Sequence, residues 1–159
     1  MKKILDKNLF FLFLFFLSIL TLVAAVYIEF ILKIKPCELC VYQRYPYLLA
    51  IFGSFIGYYF SKESLLMYIL LLIFLISLIL SGYHIGVEQG LFSGLEGCKG
   101  ENLNIVDKKK LLNSLDDISV SCKDVSFTLF GMSLATINFI MSLMIIILTF
   151  IMITYEKNR

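Results

Sequence analysis

The 159-residue chain is 60% hydrophobic, only 16% charged, and carries a formal net charge of +2. Soluble domains are roughly half apolar and a quarter charged, and a core of this size could not hide so much apolar surface, which argues against a soluble fold. Nor is there a basic stripe for nucleic acid: the one run, Lys108-Lys109-Lys110, sits among Asp107, Asp116 and Asp117 and reads as a solvated loop face.

The first apolar run covers about residues 9–32, behind Lys2, Lys3 and Lys7, and exceeds the roughly 20 residues needed to cross a bilayer. Val23-Ala24-Ala25 imitates a cleavage site, yet the run is longer than the roughly 7–15 residues of a signal-peptide core, so it is expected to remain as an anchor. The second run, 45–60, reaches only about 24 Å at 1.5 Å per residue and needs an earlier start or help from its neighbours. Ser61-Lys62-Glu63-Ser64 is a tight polar turn into the third run, 65–83. A polar stretch, 84–126, holds seven of the twelve acidic residues and five of the fourteen basic ones. Within it Leu111, Leu112, Leu115 and Ile118 share a helical face, as in either an interfacial helix or a plain loop helix. The last run covers 127–153. The pattern predicts an all-α membrane protein: one membrane domain, a four-transmembrane-helix bundle with a long external loop between helices 3 and 4.

Tyrosines mark the two interfaces. Tyr27, Tyr42, Tyr45, Tyr47 and Tyr83 fall at one predicted face, and Tyr58, Tyr59 and Tyr155 at the other. Six Lys/Arg lie on the side of the termini and eight opposite, five of those eight in the long loop, where charge weighs less in orientation. Cysteine placement decides more: Cys37, Cys40, Cys98 and Cys122 all lie in the polar connections on one side, as expected of an oxidising compartment. That places the termini in the cytoplasm.

Pro36-Cys37-Glu38-Leu39-Cys40 is a Cys-x-x-Cys at the mouth of the second helix, where free N–H groups favour a thiolate. Arg44 follows one helical turn later and would stabilise the same thiolate or an anion developing beside it. Taken alone, the motif can be redox-active, half of a zinc site, or incidental. Zinc would use the four cysteines with His84 as a spare ligand. Cys98 and Cys122, however, are 24 residues apart and neither has a nearby partner, so no metal is expected. Cys98, in the glycine-rich turn 94–100, and Cys122 could instead form a purely structural disulfide, or exchange electrons with the first pair through thiolate attack.

Cys37-Glu38-Leu39-Cys40-Val41-Tyr42-Gln43-Arg44 resembles the Cys-x-x-Cys-x-x-x-Arg signature of the disulfide bond formation protein B family, DsbB. The order of features is similar too: helix, Cys-x-x-Cys, hairpin, long loop with two separated cysteines, helix. Tyr83-His84-Ile85-Gly86-Val87-Glu88 resembles the segment leaving the third helix in many members. The resemblance spans about residues 9–155; Gln43 stands where some members carry Glu, and the long loop matches only in its cysteines and glycine-rich turn. The vitamin K epoxide reductase type of membrane oxidase differs, with its Cys-x-x-Cys late in the chain.

The resemblance implies a multi-pass protein of the bacterial inner membrane, a quinone-dependent thiol oxidase. Its partner would be a DsbA-like thioredoxin-fold protein and its acceptor a membrane quinone, ubiquinone or menaquinone. A Cys98–Cys122 disulfide would take electrons from the partner, with Cys98 forming the mixed disulfide. Cys122 would exchange with Cys37 and leave Cys40 as a thiolate facing the quinone, near Arg44. DsbA is itself a strong oxidant, near roughly −120 mV, so reoxidising it needs an acceptor that pulls, which a lipid-dissolved quinone can be. His84, the chain's one histidine, would also lie close to the quinone. Glu29, near the outer end of the first helix, is expected to be structural although an ionisable group in a span is a functional candidate. Asn138 is expected to make an interhelical hydrogen bond. A transporter would need charges lining a path through the spans, which Glu29 and Asn138 alone do not supply; a scaffold with a structural disulfide would tolerate loss of Cys37 and Cys40.

Overall fold

The structure is a computed structural model that describes residues 7–60, 64–92, 122, 127–129 and 131–158. The described residues are mostly helical: α1 (Lys7–Phe30), α2 (Glu38–Tyr42), α3 (Tyr45–Tyr59), α4 (Ser64–Glu88), a minimal antiparallel hairpin β1 (Thr128–Leu129) and β2 (Met132–Ser133), and α5 (Leu134–Lys157). Three of these, α1, α4 and α5, are long and apolar enough to cross a membrane. α3 has 15 residues, about 22 Å at 1.5 Å per residue. The predicted helix over Leu111–Ile118 and the Lys108–Lys110 run lie outside the described residues.

Each long helix buries one stripe, mostly at spacings of three and four. On α4 the stripe runs Met67, Leu70, Phe74, Ser77, Ser81, His84, Val87. On α5 it runs Ala135, Ser142, Ile145, Thr149, Met152, and on α1 Phe10, Phe11, Leu14, Ser18. α1 packs on α3, α3 on α4 and α4 on α5. Phe11, Ala50, Phe74 and Ile145 meet in one core drawn from α1, α3, α4 and α5. A Lys7–Glu156 ion pair joins the start of α1 to the end of α5. Outward-facing Phe16, Ile79 and Phe150 stay exposed, as lipid-facing residues do.

Lipid is as apolar as leucine, so close packing and polar contacts must hold such helices together. Ser77 and Ser142 share a hydrogen bond of 2.9 Å between α4 and α5. Gly57 lets α3 sit against α1: a Cβ there would lie 2.5 Å from the Phe11 ring.

Local chemistry sets the ends that matter for the site. α1 closes on Lys33, in the left-handed region at φ 54°, with Ile34 N–H reaching back to Ile28 O. Pro46 separates α2 from α3, because it has no N–H for Tyr42 O and its ring crowds that carbonyl. α4 runs beyond its apolar stretch to Glu88, so His84 lies on helix. Gly90 ends it at φ 75°: Gly90 N–H bonds Val87 O and Leu91 N–H bonds Gly86 O, a full Schellman closure. The hairpin before α5 turns on Gly131 at φ 78°, and Ser133 caps the helix by accepting from Thr136 N–H. Sequence periodicity gave no sign of this hairpin, whose strands have two residues each.

Candidate active site

Cys37 is the N-cap of α2, and its Sγ accepts from Cys40 N–H at 3.4 Å. The motif therefore opens a separate five-residue helix, not the mouth of the long one. So short a helix has little dipole to offer; the support for a thiolate comes from neighbouring side chains. The Cys37 and Cys40 sulfurs are hydrogen-bonded at 2.9 Å, and both thiols are free. His84 Nε2 lies 3.6 Å from Cys37 Sγ.

These contacts split the pair. When Cys37 ionises, the Cys40 thiol donates to it, with further help from His84 and from Cys40 N–H. Together they outweigh burial and bring Cys37 down to about 4. Cys40 is pushed up, first because it serves that thiolate and then because it is itself buried. The reduced pair thus holds one thiolate, on Cys37, and one thiol, on Cys40.

His84 is buried and held from three directions. Besides Cys37, its Nε2 lies 3.7 Å from Glu88 Oε1, one turn on along α4, and its Nδ1 lies 3.2 Å from the amide Nε2 of buried Gln43. Cys122 comes in from the segment before the hairpin. It is buried and disulfide-bonded, and Cys37 Sγ, Cys122 Sγ and a His84 ring nitrogen all lie within 4.8 Å of one another. Leu39 and Val87 close the apolar side of this cluster. Cys98 lies outside the described residues.

Arg44 takes a different partner from the one its spacing suggests. Its Nη1 donates to Glu29 Oε2 at 2.5 Å, with both side chains roughly a quarter exposed. It lines one cavity of about 240 Å³ together with Cys37, Cys40, His84, Cys122 and Glu29. The walls are otherwise mostly apolar, among them Leu22, Ala25 and Ile28 of α1 and Ile137 and Met141 of α5. Asn138 also lines the cavity. Its Oδ1 accepts from Tyr47 Oη at 2.5 Å, which is the interhelical bond expected of it, but its Nδ2 is buried without a partner.

The structure thus brings Cys37, Cys40, Cys122, Arg44 and His84 to one cavity. Glu29, Gln43, Glu88 and the free donor of Asn138 were not read as site residues. Two signals pointed to them: Glu29 is a charge inside an apolar run, and Glu88 stands four residues after the one histidine.

A helical membrane protein with a free dithiol against a further disulfide is a thiol–disulfide exchange protein in class. The chain belongs to the DsbB family: the family model described as disulfide bond formation protein DsbB matches residues 7–152. That membership makes it a membrane disulfide oxidoreductase. RP370, an uncharacterized protein of Rickettsia prowazekii (strain Madrid E), is 30% identical over 149 residues, covering 90% of this chain and 86% of its own length.

Proposed function

We propose that this protein reoxidises a DsbA-like thioredoxin-fold partner in the periplasm and passes the electrons to a membrane quinone. α3 would be the fourth span, with the termini cytoplasmic and all four cysteines outside. The observation that carries the reading is the approach of Cys122 Sγ to within 4.8 Å of Cys37 Sγ, across a long stretch of chain. A structural disulfide has no need of that proximity; an exchange reaction does.

The electron path is thiol exchange throughout. The partner's dithiol reduces a Cys98–Cys122 disulfide through a mixed disulfide at Cys98, and leaves as a disulfide. The Cys98–Cys122 pairing is the one the family resemblance implies; Cys122 itself is disulfide-bonded. The Cys122 thiolate attacks an oxidised Cys37–Cys40 bond at Cys37 and expels Cys40. Return attack by Cys98 on Cys122 restores the loop disulfide and leaves Cys37 and Cys40 reduced, the redox state described above. Cys40 is a better leaving group in this order than its state beside the Cys37 thiolate suggests. The largest influence raising it, the hydrogen bond it gives the Cys37 thiolate, vanishes together with that thiolate's charge once Cys37 is tied to Cys122, and burial is what remains.

The cavity suits a quinone. Its walls are apolar, Cys40 borders it, Arg44 brings a fixed positive charge, and the buried Nδ2 of Asn138 is an unused donor for a carbonyl oxygen. A quinone bound there supplies the two-electron acceptor that returns the Cys37–Cys40 dithiol to a disulfide. Arg44, Asn138 and His84 would hold it.

The test is a trapped exchange bond. A chain carrying Cys40→Ala and Cys98→Ala is expected to form a Cys37–Cys122 disulfide under mild oxidation, read by peptide mass mapping. Cys122→Ser mixed with the disulfide form of the partner should accumulate a Cys98 mixed disulfide, the Cys98 thiolate breaking the partner's bond and releasing one of its thiols. If the first bond does not form in the folded protein, the relay is wrong.

A further inference from the structure

The corner of the fold that would exchange disulfides also has the makings of a metal site. Cys37, His84 and Cys122 are each more than nine-tenths buried, and their donor atoms lie within 4.8 Å of one another. They come from three separate stretches of chain: the cap of α2, the last turns of α4 and the segment before the hairpin. The objection to zinc from spacing was that Cys122 has no ligand near it along the chain. Folding removes that objection by bringing it to Cys37.

In the present state Cys122 is part of a disulfide, and the thiolate, not a disulfide sulfur, is the metal ligand. We propose that once this disulfide is reduced, Cys37, His84 and Cys122 bind a thiophilic divalent cation of the zinc class, and that the bound cation halts thiol exchange. Two thiolates and an imidazole are the donor set that zinc prefers over hard oxygen-seeking cations. Cys40 Sγ, 2.9 Å from Cys37 Sγ, is the nearest donor for a fourth position. With the Gln43 amide nitrogen 3.2 Å from Nδ1, the ring proton sits on Nε2 in the metal-free state; ligation through Nε2 moves it to Nδ1 and requires the Gln43 amide to turn its oxygen there as the acceptor. Binding releases thiol protons and transfers no electrons. It ties Cys122 to the cation, so Cys122 is unable to attack Cys37. The site forms only when loop and motif cysteines are reduced together, the state reached when donors outrun the acceptor. It rests on the thiol-exchange reading for that reduced state alone.

The experiment uses the full chain in detergent, reduced and then freed of reductant without air. It is titrated with cobalt(II) and afterwards with zinc in competition with a coloured chelator. Expected are one cobalt per chain with thiolate-to-metal and tetrahedral bands, displacement by zinc, and no such bands while the Cys122 disulfide is intact. His84→Asn and Cys122→Ser should each weaken binding by roughly tenfold or more and alter the bands; the second carries the test if the first fails to fold. No cobalt uptake by the reduced chain would overturn the proposal. So would uptake indifferent to both substitutions, which would be a plain Cys37–Cys40 chelate, or uptake equal in the disulfide-bonded chain. Neither quinone nor partner is present, so failure here leaves the oxidase reading standing, and failure of the Cys37–Cys122 trap does not decide the metal.

Discussion

At the scale of residues, one proton is shared unequally by two sulfurs. An ordinary thiol loses its nucleophilic form below about 8.5, whereas Cys37 keeps it down to about 4. Alkylation of Cys37 by a small neutral reagent should therefore stay fast from alkaline pH to well below neutrality, then fall near 4. Removing the leading hydrogen bond with Cys40→Ala should move that fall upward, as measured by peptide mapping of the labelled product. The Glu29–Arg44 pair predicts a different split. It is partly exposed, so Glu29→Gln should change stability by less than about 1 kcal/mol. Its effect should fall on the acceptor step, because Arg44 loses the partner that aims it into the cavity, while single-turnover exchange between partner and loop stays unchanged. Equal slowing of both steps would show that Glu29 only braces the fold.

At the scale of elements, close approach matters more than apolar area. Gly57→Ala places a methyl about 2.5 Å from a Phe11 ring that is 1% exposed and has nowhere to go. A loss of about 1–3 kcal/mol is expected, seen as a lower thermal midpoint in detergent, with part recovered by adding Phe11→Leu. This scale also divides what the sequence announced from what it did not. Long apolar runs announced α1, α4 and α5, because hydrophobicity reports that a span exists. It does not report which face packs where, so neither the stripe carrying His84 into the interior nor the notch at Gly57 was legible. The break before α3 was legible in principle, since Pro46 cannot continue a helix begun at Glu38. The cysteine motif and Arg44 stood out through their spacing. The approach of Cys122 to Cys37 and the Glu29–Arg44 pair depend on how separate helices meet, and no local pattern encodes that. The glycine that closes α4, Gly90, is a stop signal whose meaning emerged only with its left-handed backbone.

At the scale of the whole molecule, the site sits at one end of the bundle, and the Lys7–Glu156 pair marks the other. Bundle geometry therefore fixes sidedness as a single property. In intact cells a small membrane-impermeant thiol reagent should label Cys37, the thiolate of the pair, from outside once the protein is reduced, and reagents confined to the cytosol should label none of the four cysteines. Cytosolic labelling of Cys37 or Cys122 would reverse the proposed orientation and remove any access for a periplasmic partner.

The shortness of α3 has a consequence for the surrounding lipid. If α3 is the fourth span proposed above, acyl chains beside its 15 residues must shorten or tilt to meet its ends, whereas around the 24- and 25-residue helices they need not. The annulus would then be thinnest beside α3, whose N-terminal end is capped by Arg44, with Cys40 on the short helix just before it. A lipid-borne electron acceptor would have the least depth to climb there, and vesicles of shorter-chain lipids should feed the enzyme faster than those of longer-chain lipids.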